Sequence, residues 1–232
     1  MKFDPPLTQA RLERRYKRFL ADVRLADDSV ITAHCPNPGS MMGLAEPGWR
    51  VWLSRHANPK RKLPWSWEMV ESDTGTLVGV HTGKTNDLVH EALLEGNIKE
   101  IRGFEKIERE VRVSDKSRID FLLTEPKTYI EVKSVTLSRK PGLAEFPDAK
   151  TARGVKHLQE LSALAGQGHR AVMLYVAQRE DCKRFAPAGD IDPAYSRAMK
   201  EGARAGVEIL CYNCTVSTTG IRISQRIPVE LS

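Results

Sequence analysis

Asp120, in the run RIDFLL, and Glu131 with Lys133, in the run YIEVKSV, bring two carboxylates and an amine close together in the chain. Both runs read as strands. Residues i and i+2 of a strand point to one face, so Glu131 and Lys133 project together. If the two runs pair as a hairpin across EPK, Asp120 reaches the same face. Such a set suits phosphodiester hydrolysis. Carboxylates hold Mg²⁺ or Mn²⁺ through oxygens at about 2.0–2.1 Å (the Mg²⁺ distance), leaving room for water and phosphate. The metal polarises a phosphoryl oxygen and acidifies bound water. Lys133 would orient that water or stabilise charge in the transition state, and the Val132 carbonyl is a further candidate metal ligand. Asp120→Asn is expected to abolish metal binding with little effect on the fold.

Other residues are candidates for supporting this set. In FPDAKTARGVKHLQEL, Arg153 and His157 stand four apart on one helical face, away from Val155 and Leu158, and could overlook the metal. Asp148 is placed to cap the same helix. Gly154 costs up to ~1 kcal/mol inside a helix and could permit close approach of a strand or phosphate. Glu91, in NDLVHEALLEG, could add a carboxylate, or could be a surface helix residue, whereas Asn86 reads as part of that helix's start. CPNPGSM is a tight-turn segment that sets His34, Asn37 and Ser40 beside a potential ligand.

The elements that must position these groups fall into two textures. Up to residue 82, short strand-like runs (FLADVRL, SVITAHC, WRVWLS, SWEMVES, TLVGVHT) alternate with Gly/Pro/Asp turns, the pattern of a small OB-like barrel. From residue 83 to 232 the order is α-β-β-β-α-β. It comprises a helix with Thr85 as its expected N-cap, closed by Gly96, then three strands, a periodic helix at 151–165 and the apolar strand HRAVMLYVAQ. A helix at 193–205, VEILCYN and a final strand pair follow. The predicted fold class is therefore mixed α/β (α+β), with a small barrel and an α-β-β-β-α-β domain in series.

The chain of 232 residues, 41% hydrophobic and 28% charged, has the composition of a folded protein. No apolar run is long enough to span a bilayer and MKFDPPLTQA lacks a signal-peptide core, so a cytoplasmic protein without membrane contact is expected. Cys211 and Cys214 form a single CxxC in an alternating strand, which sends them to opposite faces and argues against zinc. The net charge of +6 is clustered. Arg14, Arg15 and Arg18 sit in RLERRYKRF, while Lys60, Arg61 and Lys62 run towards Trp65 and Trp67. Cations beside aromatics suit phosphates and stacked bases, although a solvated face over core tryptophans is an equal alternative.

Asp120…Glu131-Val132-Lys133 in an α-β-β-β-α-β order resembles the PD-(D/E)xK nuclease superfamily, with Ile119 where proline commonly precedes the aspartate. RRYKRFLADV, HCPNPGSMMG, RIDFLL, YIEVKSVTL, FPDAKTARGVKHLQEL and GVEILCY together resemble the sugar fermentation stimulation protein A family. That resemblance implies an N-terminal OB-like domain, a C-terminal PD-(D/E)xK domain, DNA binding and, by the family's name, a link to sugar (notably maltose) metabolism. Superfamily relatives often act as homodimers. Three readings follow: a DNA-binding protein with a metal-dependent nuclease site, a non-catalytic DNA-binding regulator, and an RNA-processing nuclease.

Overall fold

Small or apolar residues alternating with charged ones build the first sheet even where the sequence looks merely basic. In TQARLERRY, Ala10 and Leu12 are buried while Arg11 and Glu13 are exposed, and the segment forms strand β1 (Thr8–Tyr16). The basic cluster at its end conceals this strand in the sequence. β2 (Leu20–Arg24), β3 (Val30–His34), β4 (Arg50–Arg55), β5 (Trp65–Glu71) and β6 (Leu77–Gly79) follow. The sheet order is β3-β2-β1-β4-β5-β6, and a parallel bridge between His34 and Ser66 closes it into an OB-like barrel. Trp67 is fully buried inside, its indole N–H donating to the Met69 carbonyl at 2.8 Å. The structure, a computed structural model, describes residues 1–114 and 117–231.

The second part begins with α1 (Thr85–Leu94), continues through β7 (Lys106–Ser114), β8 (Ser117–Thr124), β9 (Thr128–Val135), β10 (Leu137–Lys140) and β11 (Leu143–Phe146), and reaches α2 (Ala152–Gly166). β12 (Arg170–Ala177), β13 (Arg184–Pro187), α3 (Pro193–Arg204), β14 (Glu208–Ser217) and β15 (Gly220–Arg226) complete it. A six-stranded sheet runs β15-β14-β12-β9-β8-β7, with β9, β12 and β14 parallel and the outer pairs antiparallel. β12 is buried at every position after Arg170, because helices cover both faces of the sheet. Leu88 and Val89 of α1 pack on one face with Ile130, Val132 and Leu174. α2 and α3 pack on the other with Tyr129, Met173 and Tyr175. Among the described residues no helix is long and apolar enough to cross a membrane.

Cys214 belongs to the α1 side and Cys211 to the α2 side, as strand alternation requires. All four cysteines are free and buried. The short sheet β10-β11-β13 has no counterpart in the sequence pattern, since four-residue strands are too brief to show a period.

Three local expectations are corrected. Thr151, not Asp148, caps α2, its hydroxyl accepting the Gly154 N–H at 3.0 Å. Lys84 occupies the N-cap of α1, and the Thr85 hydroxyl accepts from Gln178 instead. Gly154 admits α3, not a strand or phosphate, since a Cβ there would stand 2.8 Å from the Tyr195 ring. The first residues also cross over: the Phe3 N–H donates to Thr219, and the Phe3 ring joins the core beneath α1.

The barrel is tied to the second part where β6 runs into α1. Gly79 N–H donates to Gln178, Val80 N–H to Glu68 and Thr82 N–H to Pro36. Glu68, fully buried, accepts from Ser54 at 2.6 Å and from Lys84 at 2.7 Å. Close by, His81 has a buried Nδ1 without a hydrogen-bond partner among the described residues. Burial pushes its imidazole down to about 4, assisted by Lys84 and His34 and opposed by Glu68. The unfolded chain, with a His value near 6.5, therefore takes up a proton that the folded chain refuses. Stability from neutral His81 is complete above about pH 6.5 and is lost as pH falls towards 4, by up to about 1.4 kcal/mol per pH unit. Thermal denaturation between pH 7 and pH 5 should show a smaller loss in His81→Gln than in the wild type; equal losses would remove His81 from this role.

Candidate functional site

The predicted acidic pair meets where β8 and β9 part. Their ladder runs Leu123↔Thr128, Leu122↔Tyr129 and Phe121↔Ile130. Beyond it the Val132 N–H donates to Asp120 Oδ2 at 2.7 Å, so a side chain takes the place of the neighbouring strand. Asn86, near the start of α1, donates to Asp120 Oδ1 at 2.8 Å. On β9, Ile130 and Val132 face α1, while Tyr129 and Val135 face α2. Alternation puts Glu131 and Lys133 on the α2 face. There Lys133 Nζ stands 2.5 Å from Glu131 Oε1 and 3.2 Å from His157 Nδ1. His157, buried on α2, also bonds through Nδ1 to Glu131 Oε1. Its Nε2 accepts from Arg153 Nε at 3.3 Å. The contacts to Glu131 and Arg153 select the tautomer with the proton on Nδ1.

Electrostatics separate the two acids. Burial, and then the charge of Glu131, push the Asp120 carboxyl up to about 6, against the lowering effect of the Val132 amide, Asn86 and Lys133. Burial acts on Glu131 as well, but the His157 hydrogen bond and the Lys133 charge outweigh it and hold that carboxyl below its usual value. Glu131 is 3% exposed, yet its Oε2 has no hydrogen-bond partner among the described residues. A buried anionic oxygen without a donor is costly unless a cation supplies the charge. In an extended strand a residue's N–H and C=O lie along the same edge, so the Val132 carbonyl also faces the gap beside Asp120. Among the described residues no group of three or more His, Cys, Asp and Glu side chains is arranged to hold a metal ion. The donor set here is two carboxylates and a main-chain oxygen, which fits a hard divalent cation.

A cleft of about 410 Å³ reaches Asn86, Val132 and Lys133, the neighbours of the two carboxylates. Asn86, Val132 and Lys133 form its inner end, the segment from Phe146 to Thr151 one wall, and Asn37–Gly39 with Arg18 the barrel side. The barrel loop is braced by Arg15, whose guanidinium donates to the Asn37, Gly39 and Ser40 carbonyls. Asp148 joins the two sides by accepting the Met41 N–H at 3.1 Å, with Gly39 packed directly against its carboxylate.

Profiles of known families cover both parts of the chain. Residues 14–80 match the SfsA N-terminal OB domain, and residues 83–220 match the domain described as the sugar fermentation stimulation protein RE domain. The chain belongs to the sugar fermentation stimulation protein family. A sugar fermentation stimulation protein homolog of Ruegeria sp. (strain TM1040) is 54% identical over 231 residues, covering 98% of this chain and all of the relative. Another, from Nitrosococcus oceani, is 51% identical, with full coverage of both chains. The solved structure of Pyrococcus furiosus SfsA in complex with Ca²⁺ superposes with a TM-score of 0.90 at 27% identity, covering 99% of this chain and 98% of that one.

Within this family member, the remaining candidates disperse. Glu91 pairs with the N-terminal amine of Met1, so the residue α1 brings to Asp120 is Asn86. His90, one turn on from Asn86, stacks on Phe121 of β8 with ring centroids 6.3 Å apart, so both look towards β8. Only the placement of α1 against β8 makes Asn86 recognisable as a site residue.

Arg15 braces a loop, Arg14 pairs with Asp22 at 2.9 Å, and Trp65 lies half-buried beneath the Arg55 guanidinium. Lys60 and Lys62 are exposed and Arg61 half-buried on the β4–β5 loop, and only Arg18 of the expected basic contacts lines the cleft. Two further residues carry no local signal of their roles. They are Asp148 as a bridge and Gln178, a buried amide donating to Thr85 and Ser134.

A Cβ at position 39 would collide with the Asp148 carboxylate. Gly39→Ala should therefore displace that carboxylate from Met41 and cost about 1 kcal/mol. In an Asp148→Ala background the same change should cost little, which thermal denaturation of the four proteins would measure. Additive costs would show that the two residues do not press on each other.

Proposed function

We propose that this protein is a nucleic-acid-binding phosphodiesterase that uses Mg²⁺ or Mn²⁺, with DNA as its first substrate and RNA as the alternative. The observation that carries the reading is the buried Glu131 Oε2, without a hydrogen-bond partner among the described residues, on the strand that gives Val132 and Lys133 to the cleft and whose Val132 amide holds Asp120. Asp120, Glu131 Oε2 and the Val132 carbonyl would hold the cation. When bound, a divalent cation polarises a phosphoryl oxygen and makes a bound water more acidic. The Ca²⁺ named with the Pyrococcus furiosus relative is likewise a hard, oxygen-seeking cation, which supports this choice.

The chain's own groups have separable tasks. Lys133 offers three donors, one of them committed to Glu131, and another can meet a phosphoryl oxygen as charge builds there. His157 keeps its proton on Nδ1 and fixes the Glu131 carboxylate through Oε1, leaving Oε2 uncommitted. Arg153 acts through His157 by holding its Nε2. Asn86 and the Val132 amide orient Asp120.

Cleavage of labelled DNA and RNA with Mg²⁺, Mn²⁺ or EDTA tests the reading. Glu131→Gln should lower the metal-dependent rate at least about 100-fold while binding persists. Binding without cleavage under either metal would remove the enzyme and leave a DNA-binding regulator on the same scaffold. Asp120→Asn should lose activity yet fold normally by circular dichroism, because Asn86 can turn its amide over and present its oxygen to the new Nδ2. Loss of fold in that variant would mean that the carboxylate is chiefly structural.

A further inference from the structure

We infer that the cleft admits an unpaired nucleic-acid strand and excludes a duplex, and that Phe19, next to Arg18 at the cleft's barrel side, stacks a base just outside it; this rests on the phosphodiesterase reading. The volume of about 410 Å³ lies in the ~300–1,000 Å³ range that encloses small ligands. It is room for roughly one or two nucleotides, not for a double helix whose major groove alone is about 12 Å wide. The barrel loop also spans the cleft. Asp148 accepts the Met41 amide, Gly39 sits against the same carboxylate, and Arg15 holds the loop through three carbonyls. A duplex would have to break this brace to bring a phosphate to Lys133.

The barrel side suits a single strand. Arg18 lines the cleft, is exposed and takes part in no salt bridge among the described residues. Next to it in the chain, and outside the lining of the cleft, Phe19 is 43% exposed, an unusual setting for a large aromatic ring. Its backbone is fixed, with the Cys35 amide donating to the Phe19 carbonyl at 2.8 Å, and its ring lies 6.4 Å from that of His34. A cation for the phosphate beside a ring for the base is the pairing that single-strand binders use.

Fluorescence anisotropy in EDTA, on the full chain, would compare a labelled single-stranded DNA, the blunt duplex of the same sequence and the matching RNA at fixed salt. The single strand should bind at least about tenfold more tightly than the duplex. Phe19→Ala should weaken single-strand binding about tenfold, with recovery in Phe19→Trp and no change for the duplex. Asp148→Ala should narrow the preference for single strands. The RNA arm tells which backbone the strand carries. Equal binding of duplex and single strand, no binding of either, or indifference to Phe19 would overturn the inference. If single strands bind through Phe19 but are never cut with Mg²⁺ or Mn²⁺, the phosphodiesterase reading falls and this one stands. If both forms bind and are cut equally well, the reverse holds.

Discussion

The hydrogen bond from the Val132 amide to the Asp120 carboxylate is the contact on which the site depends. It lets β9 leave β8 without stranding a buried N–H, and it fixes an acidic group in the gap that opens. Continued pairing beyond Ile130 would have spent that amide on a β8 carbonyl and left Asp120 no reason to face inward. Once the strands part, Asn86 can reach Asp120 from α1 and His157 can reach Glu131 from α2. The helices on the two faces of the sheet thus contribute one polar contact each to the two carboxylates, Asn86 to Asp120 and His157 to Glu131.

The barrel completes what the sheet begins. Its closed form presents the Asn37–Met41 loop at a fixed place, and Arg15 satisfies carbonyls that a tight turn leaves exposed. Glu68 and Lys84 form an ion pair between β5 and the start of α1, with Glu68 fully buried and Lys84 also near the Phe3 ring. Such a pair adds little net stability but disfavours other arrangements, because Glu68 alone would be a buried charge without a cation. The cleft is consequently a product of both parts and of their mutual placement.

Much of this was legible in the sequence because it rests on local patterns. The i, i+2 spacing of Glu131 and Lys133, the i, i+4 spacing of Arg153 and His157, and the apolar run of β12 each follow from one period. The opposite faces of Cys211 and Cys214 follow from the same rule. What was hidden depends on partners distant in the chain. Glu91 and Asn86 sit on one helix, and only the packing of that helix sends one to the N-terminus and the other to Asp120. Asp148 looks like a cap until the barrel loop arrives beside it. β1 is obscured because exposed arginines dominate its composition while only Ala10 and Leu12 are deeply buried.

The central claim is that Asp120 and Glu131 form one cation site. Mn²⁺ titration followed by electron paramagnetic resonance, on wild type and on the Asp120→Asn, Glu131→Gln double variant, tests it directly. The account predicts one bound Mn²⁺ in the wild type, displaced by Mg²⁺, and none in the double variant. Equal binding in both proteins, or none in the wild type, would contradict it.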